Sequence, residues 1–303
     1  MPNLVAHFGL QAGATRGLLR RADIKWILLG CLLPDVPWIL RRAVRTLAPS
    51  VDAYALLPYV TAQGTLACTL VLAAAVALLA ARPGRVFAIL SLNAVLALLL
   101  DGLQTKWGNG VHLLAPFDWS MWGADLFFPE SVTTYLLTAV GLVAVLWLIA
   151  RSVGDETGLV LDSPPRLLGA AVLAALYLAL PLAWDDDVVR ADNRYLSTLQ
   201  QRPERPGRYV EFDRNRYLKL EGADGVRILG GETLYLTEDR LDAPATVSVR
   251  GRFTAPDTLR VVELHEHRPA FREGASYLGL GLLVFVWGRW SYRLNRGAGA
   301  TGD

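Results

Sequence analysis

Residues 53–81 read AYALLPYVTAQGTLACTLVLAAAVALLAA and contain no charged side chain. A helix of about 20 apolar residues is long enough to cross the hydrocarbon core of a bilayer. Four further apolar stretches follow, at residues 86–100, 131–150, 167–184 and 274–288. Because only helices and closed barrels satisfy their backbone polar groups in lipid, these Leu- and Ala-rich stretches predict five membrane-spanning helices.

The first apolar stretch, residues 26–40, differs from the others because Asp35 interrupts it between Pro34 and Pro37. We interpret it as a broken or partial span that enters the membrane, and its orientation is left open. It lacks the small-residue cleavage site of a signal peptide, so we expect it to be retained.

The composition agrees with a membrane protein and excludes several other classes. Of the 303 residues, 53% are hydrophobic and 19% are charged, which is too apolar for a disordered chain. The 2 cysteines, Cys31 and Cys68, exclude a disulfide scaffold and a cysteine-rich zinc site. A net charge of +2 gives no reason to expect a nucleic-acid partner.

The distribution of arginine predicts the orientation. The loop at residues 82–85 reads RPGR, and the tail after residue 288 contains three arginines and no acid before the C-terminal residue. Positively charged loops stay in the cytoplasm, so we expect a multi-pass membrane protein with both of these segments on the cytoplasmic side. Residues 101–130 and 185–273 are then periplasmic or extracellular.

Composition changes at Asp185. Residues 185–273 contain short segments of alternating polar and apolar residues, such as ATVSVRGRF and LRVVELHEH, separated by turns. This pattern predicts five or six strands in a small barrel or sandwich. The pair at 245–267 resembles the closing hairpin of an OB-type barrel.

The predicted fold class is therefore mainly α. It is a polytopic helical membrane protein with a small all-β, OB-like soluble domain inserted before the last transmembrane helix. The predicted domains are a membrane domain at 1–184, an exoplasmic β-rich domain at 185–273, and the last helix with a cytoplasmic tail at 274–303.

Two aspartates lie at positions that are unusual for a membrane protein. Asp35 lies inside an apolar stretch and Asp101 ends another. A carboxylate at membrane depth costs about 2.5–3.5 kcal/mol and is usually kept for an ion, a proton or a partner. Capping or ion pairing at the interface is the alternative for both residues. The loop that follows Asp101 adds His112 among three tryptophans, and His and Asp are ligands that suit zinc or manganese.

Three segments carry a resemblance to a known family. They are AHFGLQAG (6–13), LLGCLLPDVPW (28–38) and LLLDGLQTKWGNGVHLLAPFDW (98–119). In order and spacing they resemble the bacterial inner-membrane family of metal-dependent hydrolases over residues 4–150. The resemblance implies that His7, Asp35 and Asp101 belong to a hydrolase site. It does not extend to the strand-rich insert.

The chain departs from the family pattern at three positions. Ala62, Ala67 and Ala97 stand where the family has histidines. A methyl group neither binds a metal nor moves a proton, so the chain is either a divergent member with a rebuilt site or one that has lost catalysis.

The first functional hypothesis is a membrane-bound, metal-dependent hydrolase-like protein acting on an amphiphilic or lipid-linked substrate. Asp35 and Asp101 are the predicted catalytic residues, and His7, Asp35, Asp101 and His112 are the predicted ligands of a divalent metal, zinc or manganese. The alternative is a non-enzymatic envelope or assembly protein that sits in the lipid bilayer and binds an exoplasmic protein through residues 185–273. A transporter is a third option.

One further pattern involves His265 and His267, which form His-x-His at the end of a predicted strand. Both side chains then point to one face and suit zinc if a third ligand approaches, with Glu263 and Glu266 nearby in sequence. An exposed polar strand end is the commoner explanation of this pattern.

Overall fold

The structure, a computed structural model, describes residues 3–151, 156–237, 241–268 and 271–299, with side chains as far as 293. The helices are α1 (Leu4–Leu18), α2 (Ile24–Leu32), α3 (Val36–Leu47), α4 (Ala53–Gln63), α5 (Leu66–Leu78), α6 (Pro83–Gly102), α7 (Val132–Ala150), α8 (Pro164–Ala183), α9 (Asp185–Ala191), α10 (Leu196–Gln200) and α11 (Phe271–Gly299). The strands are β1 (Tyr209–Lys219), β2 (Asp224–Arg227), β3 (Thr233–Leu236), β4 (Thr246–Ala255) and β5 (Thr258–His267).

Three helices, α6, α7 and α8, are long and apolar enough to span a membrane, and α4 with α5 makes a fourth if that bent pair is one span. The uncharged stretch at 53–81 is therefore not one straight helix. Its two halves meet at 67°. The break occurs where the Thr65 hydroxyl caps α5 by accepting a hydrogen bond from the amide of Cys68. The predicted span at 274–288 lies within α11. This helix is not among those that are long and apolar enough to span a membrane.

Helix α1 lies at the centre of the helical part, packed against α2, α6, α7 and α11. It approaches α7 most closely where Gly9 faces Gly141, and a methyl group on Gly9 would overlap the Gly141 backbone. Small residues permit such close crossings of membrane helices. After α1, the predicted broken span forms α2, a 3₁₀ turn at Leu33–Asp35, and α3.

Two groups of loops collect at opposite ends of the helical part. At one end the Arg85 guanidinium donates to the carbonyl of Arg20 (3.0 Å), and the amide of Ala81 donates to the carbonyl of Gly158 (2.9 Å). At the other end the loop after α6 contacts the strands, for instance where the amide of Gly108 donates to Glu211 (2.8 Å). Segments expected to share a side of the membrane therefore lie together.

The strands form a closed barrel in the order β1-β2-β3-β5-β4. All pairs are antiparallel except β3 with β5. Five strands closed in this way fit the OB-like prediction, and β4 with β5 is the expected hairpin. Two predicted strands are fused in β1, whose register shifts at a bulge between Phe212 and Asn215. The barrel core is apolar and includes Val210, Tyr217, Leu234, Val247 and Leu259.

Candidate functional site

A cavity of about 200 Å³ lies where the α2–α3 turn, the end of α6, the following loop and the start of α11 meet. Its polar lining consists of Asp35, Asp101, Lys106, Asn109, His112 and Arg272. Three of the four predicted site residues therefore face one cavity, although they come from distant parts of the sequence. The fourth, His7, lies behind Asp101. Its Nε2 is 3.6 Å from Asp101 Oδ1.

Asp35 reaches this cavity because two prolines shape the chain around it. Pro34 lies within the 3₁₀ turn and Pro37 begins the first turn of α3, a position that suits proline. Asp35 is the residue that precedes α3, and its side chain makes no capping hydrogen bond. The carboxylate thus faces the cavity beside the positive end of a helix and is only 5% exposed.

Asp101 ends α6 and is held by two cationic or protonated neighbours. Lys106 Nζ lies 3.3 Å from Asp101 Oδ1. On the other side the Gln11 amide nitrogen lies 2.7 Å from His7 Nδ1. An amide nitrogen only donates, so His7 Nδ1 accepts and the ring proton is on Nε2, facing Asp101. The result is a buried chain from Gln11 through His7 to Asp101.

His7 belongs to a stripe of buried polar residues along α1. Asn3, His7, Gln11 and Thr15 are spaced four residues apart and so share one face of the helix. The Asn3 side chain donates to Thr138 on α7 (2.6 Å), and the Thr15 hydroxyl donates to Asn93 on α6 (3.1 Å). This stripe fixes the rotation of α1 and with it the position of His7.

His112 presents an unprotonated nitrogen. Its Nδ1 lies 3.1 Å from the carbonyl oxygen of Trp119, which only accepts, so the proton is on Nδ1. Burial, followed by the charge of Arg194, lowers the pKa of His112 to about 4. The ring is therefore neutral near pH 7, and its buried Nε2 has no hydrogen-bond partner among the described residues.

The four predicted metal ligands do not converge on one point in this structure. Among the described residues, no three of His7, Asp35, Asp101 and His112 bring their ligand atoms within 4.8 Å of one another. Lys106 already occupies one oxygen of Asp101. A zinc or manganese ion on these four residues therefore stays a prediction.

A second, larger cavity of about 510 Å³ adjoins the first between α3 and α11. The two cavities share Asp35, Trp38 and Arg272 in their walls. Most of the remaining lining is apolar and includes Leu4, Leu32, Ile39, Leu47, Tyr277 and Leu280. At its rim an exposed ion pair, Arg42 with Glu273 at 3.8 Å, links α3 to α11.

A separate cluster brings Glu130, His265 and His267 together where β5 meets the segment before α7. One ligand atom from each lies within 4.8 Å of the others, so the cluster could hold a metal ion. His267 Nδ1 is 3.0 Å from one Glu130 oxygen, and His265 Nε2 is 3.6 Å from the other. Arg214 Nη2 also binds Glu130, at 2.6 Å.

The charges of this cluster favour an ionised glutamate and a neutral histidine. Burial alone raises the pKa of Glu130, but the hydrogen bond from His267 and the charges of His267 and Arg214 lower it to about 2. Burial and the neighbouring His267 lower the pKa of His265. Near pH 7 the cluster therefore offers a carboxylate beside an unprotonated imidazole.

Comparison with known proteins returned nothing: no protein-family model, no curated protein and no solved structure matches this chain. The likeness to metal-dependent hydrolases thus stays a prediction.

Sequence reasoning missed three parts of these sites. Lys106 and Arg272 line the cavity, and neither was a predicted site residue. Arg272 is distant in sequence from the rest of the lining. The stripe of buried polar residues on α1 could have been recognised from the sequence, because polar residues recur there at every fourth position. For His265 and His267 the sequence offered Glu263 and Glu266 as nearby carboxylates, but the structure brings Glu130 there instead. Nothing local in the sequence links residue 130 to 265.

Proposed function

We propose that this chain is an integral protein of the bacterial inner membrane that binds an amphiphilic molecule and acts on it as a hydrolase. The observation that carries this proposal is the pair of joined cavities, one polar and one mostly apolar, with three shared wall residues. The polar end of the molecule occupies the smaller cavity, and its apolar chain lies between α3 and α11. Pockets of this kind hold a ligand by apolar contact and orient it by a few polar groups.

The charges of the smaller cavity favour a polar group that carries a phosphoester. Lys106 and Arg272 supply two cations, and an arginine fork suits phosphate oxygens. Asp101, 3.3 Å from Lys106, keeps that cation in place and balances its charge. Such a headgroup is found on lipids and lipid-linked phosphoesters.

Hydrolysis needs a group that takes a proton from water and one that returns a proton to the leaving alcohol. His112 is the candidate base because the residue lines the cavity and its Nε2 is unprotonated. Asp35 is the candidate acid because burial disfavours its charged form. Asp101, oriented by His7, positions Lys106 toward the phosphoester.

A second candidate function is binding without catalysis. It is favoured by Ala62, Ala67 and Ala97, which stand where the resembled family has histidines. In that case the same cavities hold an amphiphile, or the barrel binds an exoplasmic protein, and no bond is broken.

A phosphodiester that joins methylumbelliferone to a dodecyl chain tests both candidates on purified protein in micelles. We expect fluorophore release from the dodecyl ester and far less from its ethyl analogue. Asp35→Asn and His112→Gln should each lower the rate at least about 100-fold, while the exposed-site control Asp118→Asn keeps it. Binding without release would support the second candidate. If the protein neither binds the dodecyl ester nor releases the fluorophore from it, the proposed function is refuted.

A further inference from the structure

The two histidines at the end of β5 share one face and meet a residue from the helical part. His265 and His267 are two positions apart on the strand, so both point toward Glu130, which directly precedes the cap of α7. Phe128 stacks flat on the His265 ring, with 3.7 Å between ring centroids and 8° between planes. The cluster is therefore preorganised at the junction of barrel and helices.

The distances in this cluster match those between ligands of one metal ion. Zinc bonds of about 2.0–2.1 Å in a tetrahedron place ligand atoms roughly 3.3 Å apart. His267 Nδ1 lies 3.0 Å from Glu130 Oε1 and His265 Nε2 lies 3.6 Å from Glu130 Oε2, and one ligand atom from each residue lies within 4.8 Å of the others. Two of the atoms concerned, Glu130 Oε2 and His265 Nε2, are buried and make no hydrogen bond with any described residue.

The contacts of Ser248 fix the orientation of the His267 ring. The Ser248 hydroxyl lies 3.0 Å from Asp213 Oδ1, and since a carboxylate only accepts, the hydroxyl proton goes there. Ser248 Oγ must then accept from His267 Nε2, which is 2.7 Å away. The other ring nitrogen, Nδ1, then faces a Glu130 carboxylate oxygen at 3.0 Å.

The surroundings provide the supporting contacts that metal ligands require. Asp213 through Ser248 orients His267, as a carboxylate partner orients a metal-bound histidine. Arg214 lies at the bulge of β1 with φ of 55°, and this bend aims its guanidinium at Glu130 Oε1. Arg214 thereby holds the carboxylate by Oε1 and leaves Oε2 to bind an ion.

We propose that Glu130, His265 and His267 bind a divalent transition metal ion of the zinc type, which fastens β5 of the barrel to the segment before α7. The ion has three protein ligands and an open fourth position for water. This inference is independent of the proposed function, since none of its ligands lines the two joined cavities.

Cobalt titration of the chelator-treated full chain tests the site, because tetrahedral Co²⁺ gives intense visible absorption bands. We expect about one equivalent bound by the wild type. His265→Ala should weaken binding at least about 100-fold. It is the least disruptive ligand variant, since His265 is partly exposed and makes no hydrogen bond with described residues. Glu130→Gln is the second variant, and circular dichroism confirms that each is folded.

Two controls separate this site from the cavity and from the strand surface. Glu266→Gln changes the exposed residue between the two histidines and should bind Co²⁺ like the wild type. Asp35→Ala combined with Asp101→Ala should also keep the Co²⁺ bands. The proposal fails if wild type shows no tetrahedral bands, if His265→Ala and Glu130→Gln both bind like wild type, or if only the aspartate variant loses the ion.

Discussion

His112 shows how one buried side chain links the loop after α6 to the chemistry of the cavity. Its ring is held by the Trp119 carbonyl, and the Asn193 side chain donates to the same oxygen. The second contact ties the segment after α9 to this loop. The neutral ring at the cavity wall is thus a product of the folded structure, since an exposed histidine is half protonated at pH 6.5.

This burial predicts a particular dependence of stability on pH. The pKa of His112 falls from 6.5 in the unfolded chain to about 4 in the folded one. Between these values the unfolded chain binds more protons, so the contribution is complete above pH 6.5 and is lost as the pH falls toward 4. Glutamine does not titrate, so in His112→Gln the thermal unfolding midpoint, measured in micelles, should change less with pH between 4 and 6.5 than in the wild type. Parallel curves for both proteins would contradict the assignment.

The Asp101 carboxylate balances the positive charge of Lys106 and lies beside the His7 ring. Replacing Asp101 by alanine leaves Lys106 without the carboxylate 3.3 Å away and His7 Nε2 without the oxygen 3.6 Å away. We expect Asp101→Ala to lower the free energy of unfolding by about 3 kcal/mol. Chemical denaturation in micelles measures this. The exposed control Asp162→Ala should change it by less than about 0.5 kcal/mol.

The individual residues of the cavity were partly predictable. Asp35 and Asp101 attract attention because a carboxylate in an apolar stretch is costly. Lys106 and Arg272 do not, since a basic residue beside a membrane helix is ordinary. Glu130 was unpredictable for a different reason. Its contact with His265 depends on how the barrel docks on the loop, and that docking is a long-range property.

At the scale of elements, the crossing of α1 and α7 depends on two glycines. A methyl group on Gly9 would overlap the Gly141 backbone, whereas one on Gly13 meets nothing within 4 Å. Gly9→Ala should therefore force the helices apart and lower the free energy of unfolding by about 2 kcal/mol. Gly13→Ala, in the same helix, should leave it unchanged or raise it by up to about 1 kcal/mol. Equal effects of the two changes on denaturation in micelles would contradict this crossing.

The sequence patterns predicted which segments are helices and which are strands, but they did not predict where one helix breaks or where two strands join. The apolar stretches at 86–100, 131–150 and 167–184 all lie within long helices, as expected. The stretch at 53–81 has the same composition but bends after Gln63, because a local cap at Thr65 starts a new helix. In the barrel, alternation predicted the strands, but it did not show that β1 continues through a bulge.

At the scale of the whole molecule, the loops gather into two sets at opposite ends. Gly84 and Asp118 are exposed and belong to different sets, while Cys31 and Cys68 are buried. In sealed vesicles, Gly84→Cys and Asp118→Cys should react with an impermeant maleimide from opposite sides. The arginine pattern predicts that residue 84 is cytoplasmic. Labelling of both from the same side would contradict a membrane lying between the two sets.

Photolabelling with dodecyl phosphate that carries a diazirine in its chain tests directly whether the larger cavity binds an amphiphile. In vesicles containing the protein, we expect adducts on residues 36–47 and 271–283, the two walls of that cavity. Excess unlabelled dodecyl phosphate should remove them. Adducts spread over the outward faces of α7 and α8, unaffected by competitor, would contradict a specific site for an amphiphile.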